Sequence, residues 1–353
     1  MAKRILSILT FSFFLVGCNP PISKEVRAIV QVIEETCPAL PWDTDELERG
    51  YIDSLILVAD EEELAYLAEE HLSPEVKIYA FHALLDLHPQ VAANLALRLI
   101  RDTSVCQIRW NMCELSTKSL TDIRLELLKK HMGNCSFSEV TLARVDSIVL
   151  YTPNLLRCSY LGNLLENLPP QPKYYQRVKD ILLKENNSDA LPALMAYQKP
   201  EDWNYVPAQY QLALKQDSVK NAEQRKKQRK EGGVIITKKS ERGHRRFSDA
   251  PDYGREPAFR IMNCIKAASV YPCPEAEEMV RKYYEKQLEK NPTALWNIDF
   301  SILLAFHTKW AYAMIKSAIS WDEFRKWDLE DALQKADSSS VKYFAPLLGI
   351  KYE

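Results

Sequence analysis

Glycine is scarce, with 9 residues in 353, well below the usual ~7%. Such a chain has few places where backbone can wrap a phosphate, and neither a glycine-rich phosphate loop nor a dinucleotide fingerprint occurs. Gly-x-Ser-x-Gly and His-Glu-x-x-His are missing too, which removes the common signatures of a serine hydrolase and a zinc protease. The longest apolar stretch, Ile5 to Val16, is about twelve residues long and interrupted only by Ser and Thr, too short for the ~20 residues of a spanning helix. No long alternation of apolar and polar residues flanked by Asn-Gly or Asp-Gly turns is present, which argues against an extensive sheet. Net charge is also small, at −2, so the overall balance points to no polyanion.

What is present is helical. Leu, Ala, Glu and Lys are abundant, and residues 61–71, "EEELAYLAEEH", put Leu64, Leu67 and Ala68 on one face with acids opposite. In "SPEVKIYAFHALLDLHP", Ser73 is an N-cap with Pro74 in the first turn, and Pro89 ends the helix. Another helix follows from Val91 to about Arg101. The chain reads as all-α.

The N-terminus has a different character. Lys3 and Arg4 precede the short apolar stretch, as in an export signal. Next come Leu15, Val16, Gly17 and Cys18, and then Asn19, Pro20 and Pro21, which cannot continue a helix. The Leu-Val-Gly-Cys run resembles the lipobox of bacterial lipoproteins. The resemblance implies cleavage after Gly17 and a mature chain that starts at Cys18, with a diacylglyceryl thioether and an acylated amine. Several acyl chains at ~0.8 kcal/mol per buried methylene make a stable anchor. Removal of residues 1–17 takes Lys3 and Arg4 and leaves a mature charge of −4. Asn19 is not the Asp associated with inner-membrane retention in enteric bacteria, which favours the outer membrane.

Two internal similarities bear on architecture. Val76, Lys77, Ala80, Ala83, Leu84 and Leu87 resemble the second helix of a HEAT repeat. Thirty-two residues on, Ile108, Arg109, Met112 and Leu115 occupy corresponding places, and Asp102 falls where such repeats often carry an aspartate. The resemblance covers about residues 60–130 and implies an irregular α-solenoid of stacked antiparallel hairpins. Separately, residues 173–199 can be laid on 282–308 without gaps: Lys173, Tyr174 and Tyr175 meet Lys282, Tyr283 and Tyr284, and Leu194 to Tyr197 meet Leu303 to Phe306.

Residues 220–246 break the pattern, with eleven Lys or Arg against Glu223, Glu231 and Glu241, a net of +8 on an otherwise acidic chain. The first part extends a preceding helix; the rest reads as a mobile excursion. No aromatic residue interleaves with the cations, which disfavours nucleic acid. Arg225, Lys226, Lys227, Arg229, Lys230, Arg245 and Arg246 are candidates for contact with an anionic surface: lipid headgroups, an acidic partner or this protein's own acidic body.

Seven cysteines besides Cys18 leave at least one unpaired within a molecule. Cys264 with Cys273, across the turn at Pro272 and Pro274, is the leading expected disulfide, and Cys135 with Cys158 is next. Cys106 and Cys113 on one continuous helix would lie ~10 Å apart, too far to pair. Cys106, Cys113, His131 and Cys135 match no zinc ribbon or finger, and no metal or cofactor is expected. His82, His88 and His307 each sit alone on a helical pattern.

These features define expected segments: signal 1–17, lipidated N-terminus and tether 18–30, HEAT-like region 31–168, a second helical region 169–219, a basic segment 220–256 and a C-terminal helical region 257–353. The expectation is a lipid-anchored bacterial envelope protein that serves as a helical scaffold or binding module for another protein. Trp203 and Tyr205, and Trp296, Trp310, Trp321 and Trp327, are candidate anchors for that partner. The alternatives are an immunity-type lipoprotein that neutralises a toxin, and a glycan-active all-α enzyme with two carboxylates across an aromatic groove.

Overall fold

The protein is mostly helical. The computed structural model describes residues 22–37, 39–41, 49–109, 115–134, 139–155, 158–230, 255–291, 293, 298–322 and 324–350. These fall into two compact units that divide between Leu161 and Gly162.

In the first unit, helix α1 (Lys24–Thr36) starts at an N-cap, where Ser23 Oγ accepts from Val26 N–H. It takes in residues assigned to the tether in the sequence reading, because Val26, Val30 and Ile33 bury one continuous face. Helix α2 spans Arg49–Val58. Helix α3 (Glu61–Glu70) opens with a reciprocal capping box between Asp60 and Glu63. Helix α4 (Pro74–Leu87) starts at Ser73 and Pro74 as expected. It is buried almost all round, from Val76 to Leu85, and packs against α1, α2, α3 and α5 (Pro89–Arg98). Ala80 and Ala83 are small enough for such close neighbours.

The HEAT-like match fails beyond α5. Residues Val105–Arg109 form strand β2 and Leu115–Ser119 form strand β3, so Ile108, Arg109 and Leu115 are not helical; Met112 lies outside the described residues. The physical reason is the local period. Cys106 and Ile108 are buried while Val105 and Gln107 are half-exposed, a period of two that suits one-sided burial of a strand. Strand β2 pairs antiparallel with β3, from Val105 opposite Ser119 to Arg109 opposite Leu115. The short strand β1 (Leu40–Pro41) adds in parallel on the other edge. Helices α6 (Leu120–Asn134) and α7 (Glu139–Tyr151) follow.

Asp102 has a partner that the repeat pattern did not suggest. Arg124 on α6 is buried at 1% exposure. Its Nη1 donates to Asp102 Oδ2 at 2.8 Å and its Nη2 to the Ala68 carbonyl at 3.0 Å. Thr121 Oγ1 donates to the Asp102 carbonyl at 2.9 Å.

Helix α8 (Ser159–Glu166) runs across the division. In the second unit follow α9 (Pro172–Leu183), α10 (Ala190–Met195), a 3₁₀ turn at Pro200–Asp202, and α11 (Tyr205–Lys230). After them come α12 (Pro257–Val270), α13 (Pro274–Lys290), α14 (Phe300–Leu304), α15 (Lys309–Trp321), α16 (Arg325–Lys335) and α17 (Ser338–Phe344). The core gathers Ile265, Val280, Leu303, Ile315, Leu329 and Phe344. At the 109-residue offset, the short helices α10 and α14 coincide, and Leu191 and Leu194 correspond to Phe300 and Leu303, all buried.

Arg260 on α12, 1% exposed, ties three elements together. Its Nη1 donates to Asn186 Oδ1 at 2.9 Å and to Gln209 Oε1 at 2.5 Å, and Nη2 reaches the Asn186 carbonyl at 3.3 Å. Asn186 adopts a left-handed backbone (φ 54°), which asparagine tolerates better than most residues. Buried Asp202 accepts from Tyr175 Oη at 2.7 Å and Lys179 Nζ at 3.0 Å, fixing the turn into α11.

Candidate binding surfaces

Helices α11 and α13 flank α12, which packs against both. Between them runs a groove in the second unit. From Trp203, just before α11, and along that helix the lining residues Pro207, Tyr210, Leu214, Asp217 and Asn221 recur every three or four positions, and on α13 so do Glu275, Met279, Tyr283, Lys286 and Lys290. That spacing puts each set on one helical face. Low numbers on α11 meet low numbers on α13, so the two helices run in the same direction, and Ile261 of α12 lies between them at the basic end. The stretch from Glu275 to Lys290 rises about 22 Å.

The two ends of the groove differ chemically. At one end Trp203, Pro207, Tyr210 and Met279 shape an apolar cavity of about 350 Å³ with Glu275, Glu278 and Lys282 at its edge. Trp203 is held by stacking on Tyr271, with ring centroids 5.8 Å apart and an interplanar angle of 21°. The Glu278 carboxyl is kept below its usual range by Arg281 and Lys282. At the other end a cavity of about 520 Å³ is bordered by Lys226, Lys286 and Lys290, with Tyr210 and Tyr283 in its wall. Burial pushes both phenols upward, and for Tyr210 the nearby Tyr283 and Cys264 add to the effect, so both are neutral donors at neutral pH.

A second surface is an aromatic corner between α15 and α16. Phe324 and Trp327 are 68% and 66% exposed and meet edge to face, 5.4 Å between centroids at 73°. Trp321, 48% exposed, ends α15 just before them. Trp310, by contrast, packs half-buried against the core.

Of the cations singled out in the sequence, Lys226 lines the groove. Arg225, Lys227, Arg229 and Lys230 belong to α11, but their side chains lie outside the described residues, as do Arg245, Arg246, Cys18 and Trp296 altogether. The groove residues on α13 were missed. Their signal, polar and aromatic residues at helical spacing from Glu275 to Lys290, is present in the sequence, but nothing local says which helix faces them.

The expected Cys264–Cys273 disulfide does not form, and both thiols are free. Cys264 is buried six residues before the end of α12, about 9 Å of helical rise from the turn, whereas Cys273 caps the start of α13. Burial pushes the Cys264 thiol up to about 12, against the smaller opposing effect of Arg260. Cys158 is also a free thiol, and Cys135 lies outside the described residues. Cys106, in a strand and not a helix, donates to Glu75 Oε1 at 3.4 Å. The histidines have ordinary side-chain partners: Asp86 Oδ1 is 3.9 Å from His82 Nε2 and 3.7 Å from His131 Nδ1, His88 Nδ1 lies 3.2 Å from Glu61, and His307 Nε2 bonds Ser340 Oγ at 2.8 Å. Among the described residues no group of His, Cys, Asp and Glu could hold a metal ion, and no helix is long and apolar enough to cross a membrane.

No protein-family model, no curated protein and no solved structure matches the chain.

Proposed function

We propose that this chain is a lipid-anchored binding protein of the bacterial envelope, held at the outer membrane through Cys18, that presents a helical body to another protein. The observation that carries the protein-binding part is the aromatic corner. Phe324 and Trp327 keep two large rings about two-thirds exposed to water, apolar surface that a partner can bury. Aromatic anchors of this kind dominate protein interfaces. The packing of helices consecutive in the chain, α3 on α4, α4 on α5, α11 on α12 and α12 on α13, supports a solenoid-like stacking within this reading.

The test is photocrosslinking in the native cell envelope, with a benzophenone amino acid at position 327 and, as a control, at exposed Leu212. A discrete protein adduct from position 327 alone, lost in a Cys18→Ala variant that fails to localise, is expected. A Phe324→Ala/Trp327→Ala double variant should bind the captured protein about 30-fold more weakly, the equivalent of about 2 kcal/mol. No protein adduct, or the same adducts from both positions, would overturn the reading.

A further inference from the structure

We propose that the basic end of the α11–α13 groove is a binding site for a phosphate-bearing ligand, held by Lys226, Lys286 and Lys290, whose apolar part lies past Tyr210 toward Trp203. The inference goes beyond docking of a protein at the aromatic corner and does not depend on it.

Charge carries the first step. Three ammonium groups border one cavity of about 520 Å³, a size usual for ligand sites. None of the three has a carboxylate partner among the described residues, although their neighbours do. Lys220 pairs with Glu256 at 2.6 Å, Lys282 with Glu278 at 3.1 Å, and Arg281 with both Glu278 and Glu285. The single carboxylate of the cavity, Asp217, already accepts from Asn221 Nδ2 at 2.9 Å. With one carboxylate, Asp217, against three lysines, the cavity keeps an excess of positive charge on a chain with more acids than bases, and an anion among the lysines converts their mutual repulsion into attraction.

Donor type narrows the anion. Lysines act as point charges, and a phosphate can accept from several at once. Ser218 and Gln287 line the same cavity with further donors, and the Tyr210 and Tyr283 phenols remain protonated. The apolar lining decides the rest of the ligand. Leu214 and Ile261 line the same cavity as the cations, and Tyr210 is shared with the adjoining apolar cavity at Trp203 and Met279. A ligand that is anionic at one end and apolar behind it matches this sequence of surfaces.

The test uses the full chain with Cys18→Ser, so that no acyl anchor contributes. The probes are vesicles of 30% phosphatidylglycerol in phosphatidylcholine, vesicles of phosphatidylcholine alone, and soluble glycerol 3-phosphate. Lys286→Gln/Lys290→Gln, on exposed positions and checked for unchanged helicity, should weaken binding about 30-fold, at ~1 kcal/mol per basic residue near a charged surface. Lys286→Arg/Lys290→Arg should restore it. Lysine-dependent binding to the anionic vesicles supports the proposal with a lipid headgroup as the source. Lysine-dependent binding of glycerol 3-phosphate without vesicle binding supports it with a soluble phosphate ester. Binding unaffected by the glutamine pair assigns attraction to residues 220–246 alone and overturns the proposal, as does failure of both phosphate probes to bind.

Discussion

Replacing Asp102 with alanine would leave the Arg124 guanidinium buried at 1% exposure with its charge uncompensated. Loss of one partner of a buried pair costs about 3–5 kcal/mol. For a unit the size of the first one, which runs to Leu161, 1 kcal/mol is worth roughly 2–4 °C in melting temperature, so Asp102→Ala should lower that of this unit by about 10 °C. Asp102→Asn keeps an acceptor for Arg124 and should cost less. In the double variant Asp102→Ala/Arg124→Met the orphaned charge is gone, and stability should recover above that of Asp102→Ala. The penalty must also depend on pH. Burial pushes the Asp102 carboxyl up, but hydrogen bonds from Arg124 and Ser104 prevail and hold it below its ordinary value. A lowered folded-state pKa means that the stabilisation is complete above the unfolded pKa, near pH 4, and is lost as pH falls through the lowered one. The assay is thermal unfolding by circular dichroism between pH 3 and 7, with hydrogen exchange at Ala68 and Arg124 to localise the effect. A cost below about 1 kcal/mol at pH 7, or a double variant no better than Asp102→Ala, would refute this account of the pair.

Asp122 predicts the opposite pH behaviour. Burial pushes its carboxyl up to about 6, against backbone N–H groups of Ser159 and Tyr160. Its contribution is therefore fully present below about pH 4 and falls by on the order of 3 kcal/mol as pH rises through 6. Asp122→Asn should flatten that part of a stability profile measured by urea unfolding, and an unchanged slope would contradict it. At α17, Asp337 accepts from Ser339 and Ser340 N–H and caps the helix. Asp337→Ala should cost about 1 kcal/mol, read as faster hydrogen exchange in residues 338–344.

The start of α4 was legible because its chemistry is local. Ser73 with Pro74 marked α4 because a cap and a fixed φ act within one turn. Residues 105–119 were misread because Ile108, Arg109 and Leu115 satisfy a helical repeat on paper, while the decisive burial of Cys106 and Ile108 depends on strands brought from elsewhere. The same limit applies to function. The run at 220–246 pointed to Lys226 by composition alone, but its neighbours Lys286 and Lys290 lie sixty or more residues away, across a helix pair that no local pattern specifies. Arg260 and Arg124, the largest fully buried side chains among the described residues, gave no signal, since an isolated arginine in a helix ordinarily faces water.

Anchorage at Cys18 is the claim on which the envelope reading rests, and mass spectrometry of the N-terminal peptide from membrane-extracted protein tests it directly. The account predicts a peptide that begins at Cys18 and carries a diacylglyceryl group and an N-acyl chain. A chain that retains residues 1–17 with an unmodified Cys18 thiol would contradict it.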